Sequence, residues 1–336
     1  MAPRARFATD GSVDDGHWSA HGIRDGARMT RSPSSPSGEA LTREVFTHEL
    51  SSWLRFDPLA REGRDPEGVH QLRVAARRLR AEMGVLTQTI SQKPAAHTSR
   101  ELRWIGGVLG RQRDLDVLYE LLCHVEHEDV PFDASVLALL RRQRERERRH
   151  VSEALSSRRY QDLVTTLAAW AVAPPLRRRA HKSASSILRP GVLGGLGELF
   201  DTVDSLGPNP TDEDLHRVRI AIKHNRYRCE VATPALGAGA DAVAKDLAKA
   251  QGVLGDLHDR VVARDFLTRW RASRWPLDED ESRREPVAIA LSELSDEMAQ
   301  LRRRWRAHVA HARRRSTALY LDDDGPAALS DETSDE

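Results

Sequence analysis

An all-α fold made of two related halves is predicted by three features of this 336-residue chain. The composition favours helices, with Ala, Leu, Arg and Glu abundant and only 5% aromatic residues; unbranched side chains lose little rotamer freedom in a helix. Apolar residues recur with helical spacing from about residue 40 onward. A basic motif also returns once, 146 residues later, as a duplication would make it.

The period predicts helices at about 40–56, 67–91, 96–126, 134–157, 159–171, 180–206, 211–232, 240–273 and 286–316. Pro or Gly stands in most of the gaps, at Pro58, Pro94, Pro131, Pro174-Pro175, Pro208, Pro210, Pro234 and Pro276. Residues 1–40, which include the run Ser32-Pro33-Ser34-Ser35-Pro36-Ser37-Gly38, lack the period and are expected to be a mobile tail. Residues 319–336 carry seven acids and no base and are expected to be another. Between them the duplication predicts two antiparallel helical bundles related by pseudo-twofold symmetry, the first at about 41–172 and the second at about 176–318.

No stretch approaches the roughly 20 apolar residues of a membrane span, and the polar N-terminus has no signal-peptide core, so a cytoplasmic protein is expected. Cys123 and Cys229 are the only cysteines. Far apart and without companions in metal-ligand spacing, they suggest neither a disulfide scaffold nor a zinc cluster, and both read as small core residues.

The formal net charge of +1 conceals an uneven distribution. Residues 41–318 hold 47 Lys+Arg against 39 Asp+Glu, a surplus of eight. Only Lys93, Lys182, Lys223, Lys245 and Lys249 among those bases are lysines. Arginine makes the two-pronged hydrogen bonds that suit phosphate oxygens.

The repeat concentrates this charge. His70-Gln71-Leu72-Arg73-Val74-Ala75-Ala76-Arg77-Arg78-Leu79-Arg80 aligns without a gap to His216-Arg217-Val218-Arg219-Ile220-Ala221-Ile222-Lys223-His224-Asn225-Arg226. A second pair, Leu109-Gly110 through Asp114 and Leu254-Gly255 through Asp259, follows at an offset of 145. At about 100° per residue, His70, Arg73, Arg77 and Arg80 fall in one sector about 80° wide, as do His216, Arg219, Lys223 and Arg226. No acid interrupts residues 70–80 or 216–228. Like charges at such spacings repel, so a face of this kind, present twice, points to a long polyanion running across both halves. The run Arg141 to Arg149 interleaves Glu145 and Glu147 and reads as a solvated, salt-bridged face. A histidine beside several cations should favour its charged form only once an anion arrives, which predicts tighter binding below about pH 7.

These residues resemble the CHAD family, named for a histidine-bearing α-helical domain. His70-x-x-Arg73-x-x-x-Arg77-Arg78-Leu79-Arg80 and Leu109-Gly110-x-x-Arg113-Asp114-Leu115-Asp116-Val117 are similar to the signatures of its first half. Leu215-His216-x-x-Arg219-x-x-x-Lys223-x-x-Arg226-Tyr227 and Gln251-x-x-Leu254-Gly255-x-x-His258-Asp259 are similar to those of its second. The resemblance covers roughly residues 41–318. It implies two four-helix bundles, a basic surface or channel between them, non-catalytic binding of inorganic polyphosphate, and association with polyphosphate granules. On this basis the expected contacts are His70, Arg73, Arg77, Arg78, Arg80, His216, Arg219, Lys223 and Arg226, with Arg103, Arg113 and Lys249 on the following helices. His224 and Asn225 depart from the family pattern, which makes the second half less cationic.

Catalysis has no positive signal. Glu145-Arg146-Glu147-Arg148-Arg149 has Arg where the E-x-E-x-K mark of a CYTH triphosphate tunnel has Lys, and it lies in a helical pattern. His258-Asp259 resembles the metal-binding dipeptide of HD phosphohydrolases, yet Arg113-Asp114 holds the matching place in the first half, so Asp259 reads as structural. No cofactor or protein-held metal is expected; a divalent cation would arrive with the phosphate chain. Two alternatives remain: binding of an RNA or DNA backbone, and a granule-associated scaffold for protein partners.

Overall fold

The computed structural model describes residues 35–124, 134–274 and 281–321. Of the predicted tails at 1–40 and 319–336, residues 1–34 and 322–336 lie outside the described residues, as do Pro131 and Pro276. Residues 38–40 instead open the first helix, held by the Gly38 amide on the Lys182 carbonyl (2.9 Å), and residues 319–321 end the last, with Leu319 buried. Nine α-helices occur among the described residues and no β-strand, so the fold is all-α. They are α1 (Gly38–Glu62), α2 (Pro66–Val85), α3 (Gln92–His124), α4 (Ala134–Ser156), α5 (Arg158–Val172), α6 (Ala184–Asp204), α7 (Asp212–Leu236), α8 (Ala238–Arg274) and α9 (Glu281–Leu321).

Side-chain caps begin the helices that carry the basic faces. Asp65 accepts from the Glu67 amide (2.8 Å) and Pro66 opens α2, where its missing N–H costs nothing. Thr211 and Asp214 form a reciprocal capping box at the start of α7 (3.1 and 2.9 Å).

Three prolines predicted between helices prove to be inside them. Pro94 lies in the first turn of α3, where the amides have no intrahelical acceptor. Pro58 and Pro234 stand within four residues of the ends of α1 and α7, so each removes one hydrogen bond from a helix about to stop. The signal that ends α1 is Gly63, at φ 62°, whose amide donates to the Leu59 carbonyl (3.2 Å). Just beyond it, α2 crosses so closely that a Cβ on Gly68 would lie 2.6 Å from the Leu59 carbonyl carbon.

Helices α1–α5 pack on one another, as do α6–α9, and the halves meet where α2 touches α7 and α3 touches α8. One apolar core threads both halves, through Trp53, Leu72, Leu79 and Ile105 in the first and Leu196, Ile222, Leu247 and Trp305 in the second. A smaller one joins Leu118 and Leu122 of α3, Leu137 and Leu140 of α4, Ala263 and Leu267 of α8, and Leu294 of α9. The closing helix differs between the halves. In the second it is the unbroken 41-residue α9; in the first it is α4 and α5, parted at Ser157, whose side chain caps α5.

Arginines of α9 fasten the connection between α6 and α7. Arg302 donates to the Pro210 carbonyl (2.8 Å) and pairs with Asp212, Arg306 reaches the Gly207 carbonyl (2.8 Å), and Arg313 holds the Phe200 carbonyl and Asp204 (3.0 and 2.9 Å). Arg264 of α8 adds a second bond to Asp212 (3.1 Å).

Candidate functional site

Where α2 runs beside α7, their basic faces meet. Arg73, Arg77 and Arg80 come from α2, and Arg219 and Lys223 from α7, all of them half-buried. Asp114 of α3 lies 3.5 Å from the Arg73 guanidinium, and Asp259 of α8 lies near Arg219. These acids occupy the matching places of the second repeat marker. One turn beyond them, Leu118 and Ala263 enter the smaller apolar core.

Burial and crowding disfavour positive charge here. Burial lowers the pKa of Arg219, a shift opposed by Asp259 and assisted by Arg77. It also lowers that of Arg73, with Asp114 opposing and Arg77 and Arg219 assisting. Lys223 responds most: burial, then Arg77, Arg219, Arg80 and Arg73, bring it down to about 8. The Nε–H groups of Arg77 and Arg219 are buried and have no hydrogen-bond acceptor among the described residues. A buried donor in that condition costs about 1–3 kcal/mol, more when charged.

The remaining predicted residues divide. His70 lies half-buried at the start of the α2 face, and Arg103 is exposed on α3, where its charge helps burial lower the pKa of Arg80. Arg113 lies near Asp259 and pairs at 3.7 Å with Glu120. His216 is exposed, its ring 5.1 Å from that of His258. Three expected contacts are elsewhere. Arg78 and Arg226 are only 6% and 3% exposed and belong to a buried ion network. Lys249 is exposed on α8, beside Asp246 (3.9 Å) and His308.

The network explains the first two corrections. Arg78 Nε lies 3.1 Å from Glu49 and 3.0 Å from Glu82, and its Nη2 lies 3.1 Å from Glu230 across the junction of the halves. Arg226 Nε lies 2.6 Å from Glu230. Burial, then the charge of Glu49, push the Glu82 carboxyl well above the usual carboxylate range, with Arg78 opposing. Both arginines are thereby committed to the fold.

The expected contacts do not include the nearer acids Asp114 and Asp259, the second of which the sequence reads as structural, or the histidines His224 and His258. Burial holds Asp259 up at about 6, with Arg219 opposing. Burial and then Arg219 lower His258, and burial and then Lys223 lower His224. The repeated Leu-Gly-x-x-x-Asp marker was the available signal for Asp114 and Asp259. Among the described residues, no group of three His, Cys, Asp or Glu side chains could hold a metal ion. The arrangement presents guanidiniums and an ammonium to an anion, with no carboxylate for every cation.

A family model described as the CHAD domain matches residues 44–268. The chain belongs to the CHAD family. The CHAD domain from the plant Ricinus communis is 25% identical and superposes with a TM-score of 0.65, covering 87% of this chain and 96% of that one. PptA from Streptomyces chartreusis shares the fold, with a TM-score of 0.64 at 22% identity over 83% of this chain and 100% of that one. Two uncharacterized Mycobacterium tuberculosis proteins, from strains CDC 1551 / Oshkosh and H37Rv, are each 29% identical over 255 residues. That is 70% of this chain and 45% of theirs, so this CHAD chain spans less than half the length of those relatives.

Proposed function

We propose that this CHAD protein binds inorganic polyphosphate without transforming it, across the cluster of Arg73, Arg77, Arg80, Arg219 and Lys223. The orphaned Nε–H groups of Arg77 and Arg219 carry this reading, since two buried cationic donors side by side call for an anion rich in acceptor oxygens. A condensed phosphate supplies closely spaced charges along a line and can reach both helices at once. Tyr227, the aromatic neighbour in the motif, is 1% exposed and unavailable to stack on a base, which disfavours single-stranded nucleic acid. On the same reading the protein accumulates at polyphosphate granules.

Competition tests the proposal. Labelled long-chain polyphosphate is bound at fixed salt and challenged with single-stranded RNA and duplex DNA. Retention against excess nucleic acid is expected, with a loss of about tenfold or more in Arg77→Ala/Arg219→Ala, since each hydrogen bond to a charged group contributes about 1.5–3 kcal/mol. Equal displacement by RNA, or normal binding by the double variant, overturns it.

A further inference from the structure

Lys249 lies outside the main cluster because it belongs to another array. On α9, Arg304, His308, His311 and Arg315 stand at intervals of four, three and four, on one face about 16 Å long. Lys249 comes alongside from α8, close enough that its charge, with those of His311 and Arg304, acts on His308. Lys249, Arg304, His311 and Arg315 are exposed and His308 is partly so. The seam is built around one acid: Asp246, 2% exposed, lies 3.2 Å from Arg315 and 3.9 Å from Lys249, fixing one cation from each helix. The other α9 arginines described above are engaged with the α6–α7 connection, whereas Arg315 pairs with Asp246 of α8 and Arg304 lies near Asp256 of α8.

The seam leads toward the main cluster. One α8 turn before Arg260, Asp256 lies close enough to Arg304 of the seam to be influenced by it and close enough to Asp259 of the main cluster to act on that carboxyl. Its carboxyl is raised from its ordinary value, chiefly by loss of solvation and against the opposing charges of Arg260 and of Arg304, the latter linking it to the seam.

We infer that the seam of Lys249, Arg304, His308, His311 and Arg315 is a second polyanion track, which takes the next stretch of a condensed phosphate chain already held by the main cluster. This rests on the polyphosphate reading of that cluster. Three cations, Lys249, Arg304 and Arg315, with two histidines between them, strung out along two helices and not converging on one point, suit a linear ligand better than a single phosphate. A chain long enough to occupy both tracks gains affinity through effective concentration, and a short one does not.

The test compares sodium tripolyphosphate, long-chain polyphosphate and duplex DNA on the full chain, at about 0.15 M salt, where the screening length of about 8 Å suppresses long-range field effects. In Lys249→Ala/Arg304→Ala/His311→Ala, three exposed positions outside the core, long-chain affinity should fall about tenfold while tripolyphosphate changes less than about twofold. Unchanged long-chain affinity overturns the second track, as does an equal loss for tripolyphosphate. A loss confined to DNA also overturns it and makes the seam a nucleic-acid surface. Failure of the main reading looks different: the parent protein then binds neither phosphate, or Arg77→Ala/Arg219→Ala binds both normally.

Discussion

Arg77 and Arg78 are adjacent in sequence and live in opposite worlds. Arg77 joins four other cations with a buried, unanswered N–H, and Arg78 is enclosed by Glu49, Glu82 and Glu230. Arg219 and Arg226 repeat the contrast one helix away. The comparison teaches that arginine type and spacing do not distinguish a ligand site from a structural one. The deciding quantity is how many carboxylates the fold delivers, and here they come from helices distant in sequence.

The largest expected effect breaks the structural side. Arg78→Met removes the guanidinium that three carboxyls share, and breaking a buried pair in this way costs about 3–5 kcal/mol. Urea denaturation should show a lower midpoint, while protein still folded at low urea retains its polyphosphate affinity. Normal stability would mean that Arg78 is not committed to the fold.

A smaller effect sharpens the ligand side through pH. Bound phosphate should raise Lys223 from about 8 toward its ordinary value, so the complex holds a proton the free protein loses above pH 8. Affinity therefore falls as pH rises through 8 to 10, by up to about tenfold per unit for one proton. Lys223→Arg should flatten that limb, as read by calorimetric titration across pH. His224 and His258, both lowered from their ordinary value by burial and then by their cationic neighbours, add a second rise in affinity below about pH 6.5.

The smallest effect lies within the network. Glu82→Gln keeps the shape of a side chain whose pKa burial raises well above the usual carboxylate range, so it should cost far less than Arg78→Met, about 1 kcal/mol or less. The sign of its pH effect follows from the raised pKa. Stability due to the Glu82 proton is complete below the unfolded carboxyl pKa and is lost as pH rises through the folded one, and the Gln variant lacks that loss. Denaturation midpoints of the two proteins across neutral and alkaline pH check it.

Much of this was legible in the chain. The helical period located all nine elements, and the motif repeated at 146 residues singled out Arg73, Arg77, Arg219 and Lys223, which the fold brings together. Arg78 was misread because its partners Glu49 and Glu230 lie on α1 and α7, and no window around residue 78 reveals them. Arg226 aligns with Arg80 in the repeat, yet Arg80 stays half-exposed near Arg103 and Arg226 is buried against Glu230, because packing around the two helices differs. Lys249 followed the motif into α8, but its side of that helix is set by contact with α9. Pro58 and Pro234 were read as breaks because local propensity cannot register how close a helix already is to its end.

The α6–α7 connection, with Gly207, Pro208, Asn209 and Pro210, has the composition of a flexible hinge. Arg302 and Arg306 instead clamp its carbonyls from the long α9, and Asp212 is gripped twice at the first turn of α7. The helix presenting His216, Arg219 and Lys223 is therefore anchored before any ligand arrives. Ordering entropy that a loose helix would lose upon binding is already lost on folding, and the guanidiniums meet a phosphate chain as a preorganised rack.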